Sequence, residues 1–243
     1  MNIHEYKKMY DIEENYWWFA GKRKILIDIV KRLPVSPHGI ILDVGCGTGI
    51  MVSAFNKIRT TYGLDFSLDG IKFCRQRNLN GTTLGNVMNL PFRNESFEVV
   101  TCFDLLEHFE DDLAAINEIA RVCKRGGFVI TTVPAYQSLW SIHDISLHHK
   151  RRYSLSSYKK LFLAAKLNIV KISYYNTILF PIIFMTRKLR EIFIRSNDIK
   201  SDFYIDIPPL FNRVLFHIFK SESRILDFLN LPFGLSILSI SRK

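Results

Sequence analysis

The fold of this chain is decided by residues 40–49, which have the sequence Ile40-Ile41-Leu42-Asp43-Val44-Gly45-Cys46-Gly47-Thr48-Gly49. The first five residues are apolar apart from one acid, which is typical of a buried parallel strand near its end. The glycines at alternate positions let the backbone turn tightly and approach a ligand, because glycine has no Cβ. The stretch from Ile50 to Lys57 then predicts a helix whose N-terminal amides face that ligand. A strand, a glycine turn and a helix in this order indicate an α/β fold.

This stretch resembles the first motif of the class I S-adenosylmethionine (SAM) dependent methyltransferases. The resemblance implies a Rossmann-like sheet of seven strands with helices on both faces and an antiparallel last strand. It also implies that the cofactor is bound by Asp43, Gly45, Cys46, Gly47 and Gly49. The nearest alternative, a dinucleotide-binding turn, requires Gly-x-Gly-x-x-Gly, and Ile50 stands where its third glycine would be. An acid at the strand end also suits the ammonium and sulfonium groups of SAM better than a pyrophosphate, so we expect SAM.

A second short strand runs from Thr61 to Leu64 and ends at Asp65, twenty residues after Gly45. At this spacing an acid at the end of strand two accepts hydrogen bonds from ribose hydroxyls. We therefore expect Asp65 to hold the ribose of the cofactor and Phe66 to lie near its adenine. The alternative is that Asp65 caps a helix that begins near Leu68.

The stretch from Leu84 to Phe92 resembles the third landmark of the same family, where an acid and the next backbone amide bind the edge of adenine. The resemblance implies that Asn86 and Val87 bind adenine here. Asn86 stands where the family usually has aspartate. A side-chain amide can still accept a hydrogen bond from the adenine amino group through its carbonyl oxygen.

A fourth strand, Phe97 to Phe103, is followed by Asp104-Leu105-Leu106-Glu107-His108. Ligands of open α/β sheets bind outside the carboxyl ends of strands, so we expect Phe103 to border the cofactor. The run resembles the Leu-Glu-His signature of the ubiquinone and menaquinone type (type 11) of small-molecule methyltransferases. It lacks the Asn/Asp-Pro-Pro-Tyr of nucleic-acid amino methyltransferases, so a nucleic-acid partner is not expected. His108 either acts as a base or positions the helix that follows, Asp111 to Cys123.

A long irregular loop is expected after the fifth strand, Phe128 to Val133, and loops of this length in compact domains are usually functional. The family resemblance extends to His149-x-Arg151-Arg152-Tyr153-Ser154. We expect His149 to be the general base, with His108 as second choice, because a histidine near neutral pKa suits removal of a hydroxyl proton. The acceptor-binding residues predicted in this loop are Tyr136, His143, Arg152 and Tyr153. Alternatively, Arg152 and Tyr153 dock the next helix.

The cysteines and histidines do not have the spacing of a standard zinc site, so no metal ion is expected. The four cysteines are scattered and indicate reduced thiols of a cytoplasmic protein. The first residues lack the basic region and apolar core of a secretory signal, which agrees with a cytoplasmic location.

Residues 4–33 predict a helical cover in two pieces, with a hinge at Gly21. In the resembling family such a segment lies over the cofactor, and a basic residue in it meets the methionine carboxylate of SAM. Arg23 is the residue predicted for this role, and Trp18 is predicted to be part of the cover. Alternatively, the aromatic residues near Trp18 pack on the rim of the sheet.

The charge of the chain is concentrated in its C-terminal part. Residues 1–149 carry 16 Lys and Arg against 17 Asp and Glu, a net charge of −1, while residues 150–243 carry 17 against 6, a net charge of +11. This asymmetry predicts an anionic partner, such as a membrane surface, a phosphorylated substrate or nucleic acid, or else only a solvated basic face.

An insertion, residues 176–232, contains an apolar run from Ile178 to Met185 that is far shorter than the roughly 20 residues that span a bilayer. Basic residues follow this run at Arg187, Lys188, Arg190 and Arg195. A second stretch, from Leu210 to Leu229, has helical spacing of apolar residues with a basic opposite face. Such faces are typical of helices in an anionic membrane interface. We expect them to contact a membrane or cover a lipid-linked acceptor; the alternative is packing on the domain or on a second subunit of a homodimer.

We expect a single methyltransferase domain with a helical cover (1–33), a cofactor-binding core (34–175), the insertion (176–232) and a last strand (233–243). The family resemblance implies that a methyl group moves from SAM to a small-molecule, glycan or lipid-linked acceptor, with O-methylation favoured. Two alternatives stay open. One is a non-catalytic SAM-binding protein that acts at a membrane or RNA, and the other is a nicotinamide-dependent oxidoreductase.

Overall fold

The computed structural model describes residues 3–193 and 207–243, with the side chains of residues 4–186 and 207–243. The strands are β1 (Ile41–Val44), β2 (Thr61–Asp65), β3 (Thr82–Leu84), β4 (Phe97–Phe103), β5 (Cys123–Pro134), β6 (Asn168–Tyr175) and β7 (Ser236–Arg242). The described α-helices are α1 (Ile3–Ile12), α2 (Trp17–Arg32), α3 (Ile50–Asn56), α4 (Leu68–Gln76), α5 (Asp112–Val122), α6 (Ile142–Ser146), α7 (Leu155–Ala164), α8 (Phe180–Phe193) and α9 (Pro209–Phe228). Short 3-10 turns lie at Leu106–His108 and Gln137–Leu139.

The strands form one mixed sheet in the order β3-β2-β1-β4-β5-β7-β6. β1 pairs in parallel with β2 on one side and with β4 on the other, so the direction of winding reverses between β1 and β4. β7 lies antiparallel between β5 and β6. The predicted class I methyltransferase fold, with its antiparallel last strand, is confirmed. The glycine turn after β1 lies at the reversal point, where ligands of such sheets bind.

Both faces of the sheet are covered by apolar side chains of helices. On one face α5 and α7 pack with fully buried residues such as Ile116 and Phe162. On the other face α2, α3 and α9 pack with fully buried residues such as Ile25 and Phe219. Burial of each such side chain contributes roughly 1.5–3 kcal/mol, so these two layers provide the main stabilisation of the sheet.

The N-terminal cover consists of two helices as predicted, but the break between them lies at residues 13–16 and not at Gly21. Gly21 is inside α2, where it faces Phe219 of α9. A Cβ added to Gly21 would lie 2.5 Å from Cδ1 of Phe219. The glycine therefore permits the close approach of two helices that are almost two hundred residues apart, and the prediction of a hinge is wrong.

The insertion between β6 and β7 contains α8 and α9. The part of α9 around Phe219 and Leu226 is buried, while its first turns expose Leu210, Phe211 and Val214. The predicted basic residue Arg195 lies outside the described residues, as do the side chains of Arg187, Lys188 and Arg190. Among the helices that the structure describes, none has the length and apolar character required to cross a bilayer.

Candidate active site

A cavity of about 1170 Å³ lies beyond the carboxyl ends of β1, β2 and β4. It is bounded by the glycine turn and α1 at one end and by α8 and α9 at the other. Sites for one small molecule typically measure roughly 300–1,000 Å³. This cavity therefore has room for a cofactor and an acceptor side by side.

The glycine turn forms one wall of the cavity through Gly45, Cys46 and Gly47. Gly45 and Gly47 have φ angles of +74° and +55°, a left-handed conformation that favours glycine. A Cβ at Gly45 would also lie 2.8 Å from Leu105, so the space there is needed by the neighbouring strand end. Gly49 begins α3 and packs on Leu79 and Cys74, outside the cavity lining.

Asp65 ends β2 beside the turn and is 6% exposed. Its Oδ2 accepts a hydrogen bond from the Gly47 amide at 2.7 Å, and its Oδ1 accepts from the Ser67 amide at 2.8 Å. The Tyr6 hydroxyl of α1 donates to Oδ1 at 3.3 Å. Burial raises the pKa of this carboxyl, although the hydrogen bonds oppose that effect. The N-cap of α4 is Ser67, so Asp65 is not the helix cap that the alternative interpretation required.

Asp43 lines the cavity from the end of β1 and is 2% exposed. The hydroxyl of Thr101 donates to its Oδ1 at 2.6 Å. Burial raises the pKa of Asp43 to about 7, and the Thr101 hydrogen bond and the nearby Lys22 charge only partly oppose this rise. A cationic ligand bound in the cavity would favour the ionised form of Asp43 and lower its pKa.

Lys22 of α2 forms an ion pair with Asp104 at the end of β4, and this pair was not predicted from the sequence. Both residues line the cavity. Burial raises the pKa of Asp104, but Lys22 outweighs this effect and the pKa is lowered. Arg23 also lines the cavity, and its guanidinium donates to the backbone oxygens of Glu13 and Glu14 at 2.7 and 2.8 Å.

The residues predicted to bind adenine lie together on the cavity wall. Phe66 is 80% exposed, whereas Val87 is buried. The Oδ1 atom of Asn86 accepts a hydrogen bond from the Met88 amide at 3.0 Å, and a carbonyl oxygen can accept a second one. Phe103 borders the cavity at the end of β4.

His149 also lines the cavity, and its side chain is 6% exposed. The segment before it is not an irregular loop, because it contains α6 and a fully buried Asp144. His149 Nδ1 is 2.8 Å from Asp144 Oδ1. Arg152 donates to both oxygens of Asp144, from Nε at 2.8 Å and from Nη2 at 2.9 Å. Burial raises the pKa of Asp144, but the hydrogen bonds from His149 and Arg152 outweigh it and hold the pKa low.

Glu107 and His108 line the cavity beside His149. Glu107 is fully buried, and its carboxyl oxygens accept no hydrogen bond from any residue that the structure describes. Burial and the nearby Asp104 raise the pKa of Glu107 well above its usual value. Burial and the neighbouring His149 lower the pKa of His108 to about 4, so its ring is neutral at physiological pH. Ligand atoms of Glu107, His108 and His149 lie within 4.8 Å of one another, a group that could hold a metal ion and that the zinc spacing did not indicate.

The four predicted acceptor-binding residues do not lie together. His143 and Arg152 line the cavity, but Tyr136 and Tyr153 do not. Tyr136 stacks on Tyr174 with ring centroids 5.1 Å apart. Tyr153 is 3% exposed and donates from its hydroxyl to Asp112 Oδ2 at 2.7 Å, so it docks α5. The prediction that Tyr136 and Tyr153 bind the acceptor is therefore corrected, because neither residue lines the cavity.

An apolar wall of the cavity comes from α2, α8 and α9. Its members include Trp17, Trp18, Leu179, Ile183 and Leu215. Trp17 and Trp18 both contact Phe219, with ring centroids 5.8 and 5.6 Å apart. The tryptophans therefore pack on the insertion and line the cavity at the same time.

Residues 42–131 match a family model described as a methyltransferase domain. The demethylmenaquinone methyltransferase of Corynebacterium kroppenstedtii is 33% identical over 118 residues, which cover 46% of this chain and 51% of that protein. The ubiquinone biosynthesis O-methyltransferase of Aliivibrio fischeri is 31% identical over 140 residues, which cover 51% of this chain and 60% of that protein. The chain thus spans about half the length of the curated relatives it matches.

Among solved structures, a geranyl diphosphate methyltransferase in complex with SAM aligns with a TM-score of 0.61. The alignment covers 92% of this chain and 84% of that one at 16% identity, so the likeness is one of fold. The resemblance of the glycine turn and of the Leu-Glu-His run to class I methyltransferases is confirmed by these matches.

Proposed function

We propose that this chain, which contains a methyltransferase domain in residues 42–131, transfers the methyl group of SAM to a hydroxyl group of a small-molecule acceptor. The observation that carries the proposal is the single cavity with two unlike ends. One end has the glycine turn with the buried acids Asp43 and Asp65, and the other has His149. A transferase that joins two ligands needs both ends in one water-excluding space.

The residues present fit SAM at the turn end. Asp65 ends β2 beside the turn, the position at which an acid accepts from ribose hydroxyls in this type of sheet. Asp43, whose pKa is about 7 without a ligand, would be stabilised as an anion by the ammonium of SAM. Further residues proposed to contact the cofactor are Arg23, Gly45, Cys46, Gly47, Phe66, Asn86, Val87 and Phe103, with Gly49 supporting the turn.

When bound, SAM supplies a methyl carbon that is activated by the positive sulfonium. The protein's part is to align the acceptor with that carbon, to exclude water and to remove the hydroxyl proton. His149 is the proposed base. His108 is a weaker choice, because a pKa of about 4 leaves it a poor proton acceptor at neutral pH.

The apolar wall around Trp17, Trp18 and Leu215 supports an acceptor with a substantial apolar part, such as a lipid-linked molecule or a small aromatic. His143, on the acceptor side of the cavity, is proposed to contact its polar end. Arg152 acts there indirectly, since its guanidinium is engaged by Asp144.

Exposed apolar side chains on α8 and α9 support peripheral contact with a membrane beside the acceptor end. Ile182 and Met185 of α8 are 63% and 62% exposed, and Leu210 and Phe211 of α9 are 70% and 64% exposed. The net charge of +11 in residues 150–243 would favour an anionic surface. A second subunit of a homodimer is the other partner that could cover these side chains.

Titration calorimetry with SAM, followed by a screen of hydroxylic acceptors with methyl-labelled SAM, tests the function. We expect SAM to bind and label to move to an acceptor that has an apolar part. Binding without transfer to any acceptor would favour the non-catalytic alternative, and absence of SAM binding would refute the proposal.

Liposome flotation tests the membrane contact. We expect the protein to float with anionic vesicles at low salt and to be released as salt is added, because salt screens surface charge. The double variant Leu210→Ser/Phe211→Ser should float less, while Phe228→Ser, which changes an exposed residue at the far end of α9, should not. A protein that stays soluble with every lipid composition, and sediments as a dimer, would contradict the membrane contact.

A further inference from the structure

Resting on the proposed function, we propose that the reacting hydroxyl of the acceptor binds between Nε2 of His149 and Oε1 of Glu107. We further propose that Asp144 is the positioning residue that directs the lone pair of Nε2 to this point. Nothing in the sequence motifs or in the relatives' names assigns a role to Glu107 or Asp144.

The first observation is the unpartnered carboxyl of Glu107. Its oxygens are buried at the cavity wall and accept no hydrogen bond from the described part of the chain. Buried polar groups in proteins are nearly always hydrogen-bonded, so a carboxyl without a partner at a cavity wall is a candidate for a catalytic role or for contact with a bound group. The two cations that act on this carboxyl are engaged elsewhere, since Lys22 is paired with Asp104 and Arg152 donates to Asp144.

The second observation is the set of bonds that fixes the ring of His149. Asp144 accepts from Arg152 on both oxygens and from the Ser141 amide on Oδ2 at 2.9 Å. A carboxylate held ionised in this way can only accept, so the His149 Nδ1 atom 2.8 Å from it carries the proton. In the neutral ring Nε2 is then the atom with the free lone pair.

The third observation is the gap between the two groups. His149 Nε2 lies 3.9 Å from Glu107 Oε1, which is too long for a direct hydrogen bond. A hydroxyl oxygen can lie about 2.8 Å from each atom, an ordinary hydrogen-bond length, if it sits to one side of the line that joins them. The acceptor oxygen would donate its proton to Nε2, while its remaining lone pairs take a hydrogen bond from the protonated carboxyl of Glu107.

The chemical step balances with these groups alone. The oxygen–carbon bond to the methyl group forms as the carbon–sulfur bond of the sulfonium breaks, and the electron pair of the broken bond stays on sulfur. The hydroxyl proton moves to Nε2 of His149, and the resulting imidazolium is stabilised by the Asp144 carboxylate.

Nitrogen-15 NMR of the histidine side chains tests the positioning without SAM or turnover. We expect the neutral ring of His149 to be protonated at Nδ1 in the wild type. In Asp144→Asn the ring should become a mixture of tautomers, and in Asp144→Glu the Nδ1–H form should be partly kept. Asp11→Asn, an exposed change on α1, should leave the signals as they are. A wild-type ring protonated at Nε2 would overturn the inference.

Phenol, with toluene as a matched probe that lacks the hydroxyl, tests the binding point. Phenol should shift the Nε2 signal of His149, and its affinity should fall at least tenfold in Glu107→Leu, which removes the hydrogen-bonding group, but not in Glu110→Leu, a 78% exposed control. Toluene should not shift Nε2. An equal shift with toluene, no shift with phenol, or unchanged phenol affinity in Glu107→Leu would overturn the assignment.

Titration with Mg²⁺ and Zn²⁺ separates a metal site from a hydroxyl site. If either ion shifts Nε2 at micromolar concentration and Glu107→Gln abolishes that shift, the carboxyl is a metal ligand and our assignment is wrong. We expect no such shift. Failure of the acceptor screen would refute the proposed function. It would not decide the present inference, because none of these NMR and binding measurements requires methyl transfer.

Discussion

The two ends of the cavity are built in different ways. At the cofactor end the glycine turn, Asp43 and Asp65 come from one strand–turn–helix–strand segment, and the Gly47–Asp65 hydrogen bond spans 18 residues. At the end proposed for the acceptor, Glu107 and His149 come from separate segments, and the wall depends on contacts such as that between α2 and α9. A site that is formed within one segment can be predicted from sequence spacing, whereas a site that is assembled from distant segments cannot.

The removal of the proposed base should have the largest effect and tests the acceptor end. His149→Ala should lower turnover by about 10²–10⁴, the usual contribution of a general base, while SAM affinity stays nearly unchanged. Single-turnover kinetics with an acceptor from the screen measure the first quantity and calorimetry the second. His38→Ala, at an exposed position, is the control. If turnover falls less than fivefold, the general base is another residue.

Asp65→Ala tests the cofactor end and should weaken SAM binding at least tenfold. The variant loses two charge-assisted hydrogen bonds to ribose, each contributing roughly 1.5–3 kcal/mol. Calorimetry measures the affinity, and circular dichroism checks the fold, since Asp65 also accepts from the Gly47 amide. Asp69→Ala, in the first turn of α4, is the control. SAM affinity equal to that of the wild type would show that the ribose binds elsewhere.

Gly21→Ala tests whether the acceptor wall depends on close helix packing. Alanine normally stabilises a helix interior relative to glycine, but here its Cβ would meet Phe219 at 2.5 Å. Overpacking of this kind costs about 1–3 kcal/mol, so thermal unfolding should occur at a lower temperature. The double variant Gly21→Ala/Phe219→Leu should recover part of the loss. A higher Tm in Gly21→Ala would mean that α2 and α9 do not pack as described.

The pH dependence of SAM binding should give the smallest effect. Because the pKa of Asp43 is raised to about 7 in the free protein, mainly by burial, its carboxyl is protonated below that pH. Binding of a cation requires the ionised form, so affinity should fall as pH decreases from 8 to 6, by about tenfold per pH unit below the pKa. Calorimetry at several pH values measures this slope. Asp43→Asn should bind SAM weakly, with an affinity that does not change with pH in this range. If the affinity of both proteins falls equally as pH decreases, another group causes the pH dependence.

The features that the sequence predicted correctly are mostly local, whereas those that it missed depend on contacts between distant segments. The strand ending at Asp43 and the strand ending at Asp65 were predictable, because backbone geometry and short-range spacing determine them. The antiparallel last strand was expected from the family resemblance alone, and the structure confirms it. Asn86 and Val87 also lie on the cavity wall as expected. The hinge predicted at Gly21 was wrong because a glycine required for helix contact has the same local signature as one required for a bend.

What the sequence by itself determined is therefore the sheet, its glycine turn and the acids that border it. Only the tertiary structure decided that Tyr153 docks α5, that Asp144 orients His149 and that Glu107 is buried without a partner. The physical reason is that strand and turn formation depends on neighbouring residues in the chain. The state of a buried side chain depends instead on the groups that folding brings within hydrogen-bond distance, and these come from segments whose relative positions no local pattern encodes.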